Sequence, residues 1–371
     1  MPAADRWKTV VFALVTIAGA SLAGLAGAEI LARLFYDGRV VTGSLIVNDP
    51  ELAFRMRPGV SCIDDSPEFT VRYRLDPVLG VRVSGPGARA PERPDIAFFG
   101  DSFVFGHGVQ ADETFVSRLR DRFPDRSFLN AGVNSYGPDQ EYVWARRLRA
   151  NLHPGREVVC FYEGNDFEDF GRYGILERRG DRFVTTPPTD PSGTLRRRLT
   201  SLPGYGWLCR LHLWSVVKAL IQRRRLDAGR QLPRFVTAPD CREAKETRTV
   251  ENITALFHQW QSEVGTDRFL VVFIPAITRF RGKVHPLLPL LKNRLTEAQS
   301  PWIDLADAAP AQAPARKRFV ETCYYYVDSH WTPAGHEWAA DALADSFLRR
   351  DWLVLRESAE DSTRLPPPVE D

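Results

Sequence analysis

The chain is poor in cysteine and has no excess of either charge. Its 371 residues include five cysteines, 49 basic and 47 acidic side chains, which gives a formal net charge of +2. No Cys-x-x-Cys pair occurs, which excludes a disulfide scaffold and a zinc site of that type, although a disulfide between distant loops stays open. The balanced charge argues against a dedicated nucleic-acid binder, so we expect no nucleic-acid partner. Apolar residues make up 44% and charged residues 26%, which excludes disorder of the whole chain.

One long uncharged run lies near the N-terminus. Residues 10–28, VVFALVTIAGASLAGLAGA, form a run of 19 residues without charge. As a helix it would extend roughly 28 Å, enough to cross a bilayer. We predict a transmembrane anchor over 10–35, with residues 1–9 in the cytoplasm because Arg6 and Lys8 precede the run, and the remainder in the periplasm. Ala26-Gly27-Ala28 also fits a cleavage site, so a removed signal peptide is the alternative.

The pattern of the remaining chain changes near residue 95. Residues 40–94 hold short strand-like runs broken by glycine and proline, which predicts a small β-rich stalk or cap. From 95 to 350 apolar strands alternate with amphipathic helices, which predicts an α/β domain whose parallel sheet is covered on both faces. The predicted strands are 96–99, 127–133, 157–162, 268–275 and 301–307, and the predicted helices are 113–123, 141–152, 247–265 and 335–350.

A basic insertion at 171–246 interrupts this alternation. Residues 172–248 contain 17 Lys or Arg and 7 Asp or Glu, a local excess of +10. Within it, 205–221 is typical of an apolar helix with basic ends, which suits contact with anionic lipid or a lid whose arginines hold an anionic substrate. A helix packed on the domain with solvated arginines is the third possibility. The composition of 355–371 predicts a disordered tail.

Three polar segments follow the first three predicted strands. Ligands of parallel sheets bind at the carboxyl ends of the strands, where these segments lie. Gly100-Asp101-Ser102 would expose a serine hydroxyl, and the loop 130–137 and Gly164-Asn165-Asp166 would offer backbone and amide N–H groups. Such donors, aimed at one point, form an oxyanion hole. Taken singly, each segment is also ordinary turn chemistry.

A fourth polar segment, Asp328-Ser329-His330-Trp331, precedes the last predicted helix. In an extended segment Asp328 and His330 project to the same side. Asp328 would then orient the imidazole, and His330 would take a proton from a serine hydroxyl. A surface turn beside a packed tryptophan is the alternative. Thr332 followed by Pro333 predicts a helix start there.

Together, in this order, the four segments resemble the SGNH, or GDSL-type, serine hydrolase superfamily over residues 95–350. The resemblance implies a flavodoxin-like three-layer α/β/α sandwich with a mostly parallel five-stranded sheet. It implies Ser102 as nucleophile, His330 as general base and then general acid, and Asp328 as the carboxylate that orients His330. The implied oxyanion hole combines the N–H of Ser102, an N–H of Ser135 or Gly137, and the side chain of Asn165. This chemistry requires no metal and no organic cofactor.

The chain departs from the family pattern in two places. One residue separates Asp328 from His330 where the family commonly has two, and Ser135 stands where the second block usually has glycine. The Asp-x-His-Trp form resembles alginate-type O-acetyltransferases. In those relatives the block often precedes the serine, whereas here it follows Ser102, as in ordinary SGNH esterases. We therefore expect a membrane-anchored esterase that removes acyl groups, acetyl above all, from an extracytoplasmic polysaccharide. An exopolysaccharide O-acetyltransferase, a lipid-ester hydrolase and a non-catalytic carbohydrate-binding assembly protein are the alternatives.

Other patterns carry less weight. Residues 106–111 fit G-x-G-x-x-A, but they begin too far after the strand for a dinucleotide site, and no acidic residue ends the second strand. His336 with the Asp328–His330 pair matches no standard metal-site spacing, so we expect His336 to pack within the last helix. Tyr324, Tyr326 and Trp331 are expected to be packing residues, with a sugar-binding platform as the alternative.

Overall fold

Five strands form one parallel sheet at the centre of the α/β domain. The structure, a computed structural model, describes residues 3–35, 45–66, 68–189, 211, 213 and 242–353. From edge to edge the sheet contains β11 (Trp302–Asp304), β10 (Phe269–Ile274), β7 (Arg156–Tyr162), β5 (Ile96–Gly100) and β6 (Phe128–Asn130), and every neighbouring pair is parallel. Numbered along the chain, the spatial order is 5-4-3-1-2, the doubly wound order of flavodoxin-like folds. The predicted fold class is confirmed.

Helices cover both faces of the sheet. Successive strand residues point to opposite faces, so Phe98 and Phe99 belong to two different hydrophobic clusters. Because both faces are covered, every residue of β10 is buried. One face packs against α4 (Pro138–Leu152), α6 (Arg242–Val264) and α7 (Leu288–Glu297), and the other against α3 (Phe115–Arg122) and α9 (Pro333–Arg349).

A helix of 33 residues, α1 (Ala3–Phe35), precedes the domain. Within the described residues, its segment Trp7–Leu34 is the one helix long and apolar enough to cross a membrane, a property that signal sequences share. Phe12 is 74% exposed and Leu34 is 71% exposed, so this is not a core helix of the domain. Its orientation across a membrane stays a prediction.

The β-rich segment packs onto the α/β domain. Two antiparallel hairpins form it, β1 (Ile46–Asp49) with β2 (Ala53–Met56) and β3 (Ser61–Asp65) with β4 (Thr70–Arg74). Its side chains Leu52 and Tyr73 are buried in the same hydrophobic cluster as one face of the sheet. The predicted β character is confirmed. Because the segment packs against the core, it forms part of the α/β domain.

Two helices and one hairpin differ from the sequence predictions. α7 and α8 (Ala313–Cys323) carry Pro289 and Pro314 in their first turns, where proline is tolerated although it usually marks a break. The insertion predicted to be helical begins instead with a hairpin, β8 (Leu176–Arg179) with β9 (Arg182–Thr185). The predicted helix at 205–221, apart from residues 211 and 213, and the tail at 355–371 lie outside the described residues.

Candidate active site

Ser102 lies at the carboxyl end of β5, the strand between β7 and the edge strand β6. It is the first residue of a short helix, α2 (Ser102–Phe105), and Asp101 caps that helix by accepting the N–H of Phe103 at 2.9 Å. The first N–H groups of a helix have no acceptor within the helix, so the N–H of Ser102 is available to a ligand. Ser102 lines a cleft of about 450 Å³ together with Ser135, Asn165 and His330.

Ser102, His330 and Asp328 form one hydrogen-bonded series. The Oγ of Ser102 lies 2.7 Å from Nε2 of His330, and Nδ1 of His330 contacts Oδ1 of Asp328. Because an ionised carboxylate only accepts, Nδ1 carries the ring proton and Nε2 is left to accept the serine proton. The structure thus brings together three predicted residues although Ser102 and His330 are 228 positions apart. Their catalytic role stays a prediction.

A turn brings Asp328 and His330 to the same side, where the sequence predicts an extended segment. Ser329 between them adopts a left-handed conformation with φ of 67°. The N–H of Tyr325 donates to the carbonyl of His330 at 2.9 Å, and Tyr324 pairs with Trp331 as an antiparallel bridge. The left-handed residue reverses the chain locally, so a single intervening residue suffices for the two side chains to meet.

Burial and charge set the protonation of the site. Burial alone would raise the pKa of Asp328, but the imidazoles of His107 and His330 beside its carboxylate hold that pKa well below its ordinary value. Asp328 is therefore an anion over the whole physiological range. Burial raises the pKa of Asp101 to about 6, and Asp101 lies 3.4 Å from the serine Oγ, a longer contact than the one to His330. The histidine is accordingly the main acceptor of the serine proton.

The predicted oxyanion donors separate into two groups. Ser135 lines the cleft in a left-handed conformation with φ of 66°, which explains why glycine suits this position. Asn165 also lines the cleft, and its Nδ2 donates one hydrogen to Asp169 at 2.8 Å, which leaves the second for a ligand. The N–H of Gly137, in contrast, donates to Oε1 of Gln140 at 3.4 Å, and Gly137 is not among the residues that line the cleft. We therefore favour Ser135 over Gly137 as the second backbone donor.

Gly164 allows the loop with Asn165 to pass close to the sheet. A Cβ at this position would lie 2.4 Å from the ring of Tyr162. The same Tyr162 ring packs against Phe103 with centroids 4.2 Å apart, and Phe103 packs against the ring of His330 at 4.9 Å. Glycine before Asn165 therefore keeps the aromatic support of His330 in place.

Three residues that the sequence analysis did not single out support the site. Glu68, from the loop before β4, accepts the N–H groups of Val327 and Asp328 at 2.9 and 2.8 Å. Asp169 holds the amide of Asn165, and Nε2 of His107 lies 3.6 Å from Oδ2 of Asp328. Glu68 and His107 carry no local signal because their partner Asp328 is distant in sequence, whereas Asp169 lies only four positions from Asn165.

An ion-pair network holds another wall of the cleft. Glu163 accepts the N–H of Ala276 at 2.8 Å, and Arg279 bridges Glu163 and Asp304 at 3.1 and 2.6 Å. Burial raises the pKa of Glu163 to about 6, although Arg279 opposes that rise. The network fixes the loop after β10, which lines the cleft with Ile277.

Several side chains behave as packing residues. His336 is buried, its Nδ1 accepts the N–H of Phe115 at 3.2 Å, and burial lowers its pKa to about 3. The packing interpretation of His336 is thus confirmed. Tyr324 and Trp331 are also buried, so they do not form a sugar-binding platform, whereas Tyr326 is 73% exposed. Of the described residues, one set of metal-ligand type has its ligand atoms within 4.8 Å of one another: His107, Asp328 and His330.

Comparisons with known proteins give structural likenesses of low identity. No protein-family model matches the chain, and a search of curated proteins finds no match. A lipase/acylhydrolase from Enterococcus faecalis is 13% identical with a TM-score of 0.37, over 69% of this chain and 95% of that one. A psychrotrophic esterase from Pseudoalteromonas is 12% identical with a TM-score of 0.36, over 68% and 96%. A protein of the lipolytic G-D-S-L family from Veillonella parvula is 10% identical with a TM-score of 0.38, over 68% and 98%. Likeness at this level assigns no activity to the chain.

Proposed function

We propose that this chain is a serine esterase or acyl-transfer enzyme of the SGNH type. The observation that carries the proposal is the Ser102 Oγ to His330 Nε2 contact of 2.7 Å, with Asp328 on the other ring nitrogen. A nucleophile, a base within hydrogen-bond reach and a group that orients the base are the arrangement required for nucleophilic acyl transfer. The cleft beside Ser102 gives an ester carbonyl access to the hydroxyl.

In the proposed reaction, Ser102 Oγ attacks the ester carbonyl carbon while His330 Nε2 takes its proton. The tetrahedral intermediate collapses, the bond to the alcohol oxygen breaks, and His330 returns the proton to the leaving alcohol. An acyl-serine remains. Water or a sugar hydroxyl then attacks it, again with His330 as base, and the final collapse returns the proton to Ser102. Asp328 stabilises the imidazolium at each transfer.

The negative oxygen of the intermediate would be held by three N–H groups. Ser102 and Ser135 contribute backbone donors, and Asn165 contributes the amide hydrogen that Asp169 leaves unused. Donors that are already fixed need no reorganisation when charge develops, which makes such a hole the largest single contribution in many acyl-transfer enzymes. Asp169 is itself paired with Arg172 at 3.0 Å, so the amide of Asn165 is held in one orientation.

For the substrate, we propose an ester-linked acyl group, acetyl above all, on an extracytoplasmic polysaccharide. A second cleft of about 740 Å³ shares Ile277 with the catalytic cleft and includes Tyr326 and Arg281. Two adjoining clefts suit a long substrate better than a small ester, and an exposed tyrosine offers a face to a sugar ring. The apolar helix α1 supports attachment of the enzyme to a membrane.

The test uses the full-length protein in detergent micelles with a serine-directed fluorophosphonate and p-nitrophenyl acetate. We expect mass spectrometry to find the label on Ser102, and Ser102→Ala to lose both label and turnover. Ser135→Gly is the matched control, because it removes another cleft hydroxyl while it keeps the backbone N–H and the left-handed conformation. A folded wild-type protein that takes no label and hydrolyses no ester would contradict the proposal and favour a carbohydrate-binding protein.

A further inference from the structure

We propose that His107 is a positioning residue, a second imidazole that holds Asp328 through the carboxylate oxygen that His330 does not use. This inference rests on the proposed function, since the position of Asp328 affects catalysis only if Asp328 orients His330. Nε2 of His107 lies 3.6 Å from Oδ2 of Asp328, while His330 occupies Oδ1. At 3.6 Å the contact is an ion pair, longer than a hydrogen bond. Each carboxylate oxygen thus has its own imidazole.

Aromatic packing fixes the ring of His107. Its centroid lies 4.7 Å from that of His330 and 5.3 Å from that of Phe69, which it meets edge to face. Gly106 and Gly108 on either side have φ values of 77° and 85°, so the loop turns sharply at both ends of His107. The side chain is therefore presented to Asp328 by a loop of defined shape.

The hairpin β3–β4 holds the other edge of the ring. The hydroxyl of Tyr73 lies 3.4 Å from Nδ1 of His107 and accepts the N–H of Gly108 at 3.0 Å, and Oδ2 of Asp64 lies 4.0 Å from the same nitrogen. The β-rich segment is thus continuous with the active site. The titratable and charged groups that face His107 are Asp64, Tyr73, Arg82, Asp328 and His330.

The charges around His107 favour its imidazolium form. Burial by itself would lower the pKa of His107, but the carboxylates of Asp328 and Asp64 raise it above the ordinary value. A cation at Oδ2 favours the ionised form of Asp328 and opposes rotation of its carboxylate. The hydrogen bond from His330 to Oδ1 then keeps one geometry through the reaction, which is the condition for efficient proton transfer.

Two substitutions separate this role from simple packing. His107→Phe keeps a ring between Phe69 and His330 but removes both nitrogens. His107→Gln keeps an N–H that can reach Asp328. The matched control is Tyr325→Phe, because the Tyr325 hydroxyl donates to the carbonyl of Gly108 at 2.9 Å and so supports the same loop.

The first readout is steady-state hydrolysis of p-nitrophenyl acetate by the full-length protein in micelles. We expect His107→Phe to lower kcat about 10- to 100-fold with KM changed by less than about 2-fold, as for misplacement of a catalytic group. We expect His107→Gln and Tyr325→Phe to keep kcat within about 5-fold of wild type. Unchanged kcat in His107→Phe, or equal losses in His107→Phe and Tyr325→Phe, would overturn the proposal.

The second readout does not depend on turnover. The proton between His330 Nδ1 and Asp328 should give a far-downfield ¹H resonance, assigned by its loss in Asp328→Asn. We expect this resonance to move or broaden in His107→Phe and to persist in His107→Gln and Tyr325→Phe. If it moves in His107→Phe while the wild-type protein hydrolyses no ester, the positioning role stands and the proposed function fails. If the resonance is unchanged in His107→Phe, or is absent from the wild-type protein, the positioning role fails.

Discussion

Removal of the Asn165 side chain tests the oxyanion hole most directly. Asn165→Ala deletes an amide whose one hydrogen is held by Asp169 at 2.8 Å and whose other hydrogen is available to the cleft. The Ser102 to His330 contact does not involve this side chain, so the proposed nucleophile and its proposed base stay in place. The substitution therefore removes one of three proposed donors to the negative oxygen and leaves proton transfer intact.

The expected loss in kcat is the loss caused by removal of one of the three proposed donors. Loss of one fixed donor typically lowers kcat by about 10²- to 10³-fold, or about 2.7–4 kcal/mol of transition-state stabilisation. The ground-state carbonyl gains little from the donor, so KM should change by less than about 3-fold. Asp169→Asn keeps the Asn165 amide but removes the carboxylate that orients it, so we expect a smaller loss, up to about 10-fold.

The assay is hydrolysis of p-nitrophenyl acetate at saturating substrate, with fluorophosphonate labelling in parallel. Labelling should slow in Asn165→Ala, because phosphonylation of Ser102 also develops a negative oxygen. Thermal melting checks that each variant is folded. A kcat loss below about 3-fold in a folded Asn165→Ala protein would refute the assignment of this amide to the hole.

Two further predictions concern stability and location. Glu141 is buried, and neither of its carboxylate oxygens has a hydrogen-bond partner among the residues that the structure describes. Burial raises the pKa of Glu141 well above the ordinary value, so its ionisation destabilises the fold as the pH rises. Glu141→Gln should therefore raise the melting temperature relative to wild type more at pH 8 than at pH 5, and an equal difference at both values would contradict this. For Trp7–Leu34, carbonate washing should leave the full-length protein in the membrane pellet, whereas release into the supernatant would favour a cleaved signal sequence.

The architecture could be predicted largely because its signals are local. Apolar runs such as those of β7 and β10 are buried on both faces, and their composition alone identifies them as strands of a covered parallel sheet. The helix start at Thr332 and Pro333 also depends only on neighbouring residues, and the Thr332 hydroxyl accepts the N–H of Gly335 at 3.3 Å as expected. α7 and α8 escaped prediction because proline has opposite meanings inside a helix and in its first turn.

The candidate site could be predicted only in part. The sequence identifies Ser102, Asn165 and the Asp328–His330 pair because each lies in a short polar segment at a strand end or before a helix. It could not choose between Ser135 and Gly137, since both are loop residues two positions apart. The choice depends on φ and on the hydrogen bond to Gln140, which are consequences of how the loop packs.

By itself, the sequence determined the five strands of the sheet, the helices α3, α4, α6 and α9, the long apolar helix and the polar residues at the strand ends. Each of these follows from side chains within a few positions of one another. Only the tertiary structure decided that Ser102 meets His330 and that Glu68 and His107 approach the Asp328 loop. These contacts join segments far apart in the chain, and packing of the sheet, its helices and the hairpin β3–β4 sets their distances. Local sequence patterns therefore identify the candidate groups, while their geometry comes from the fold.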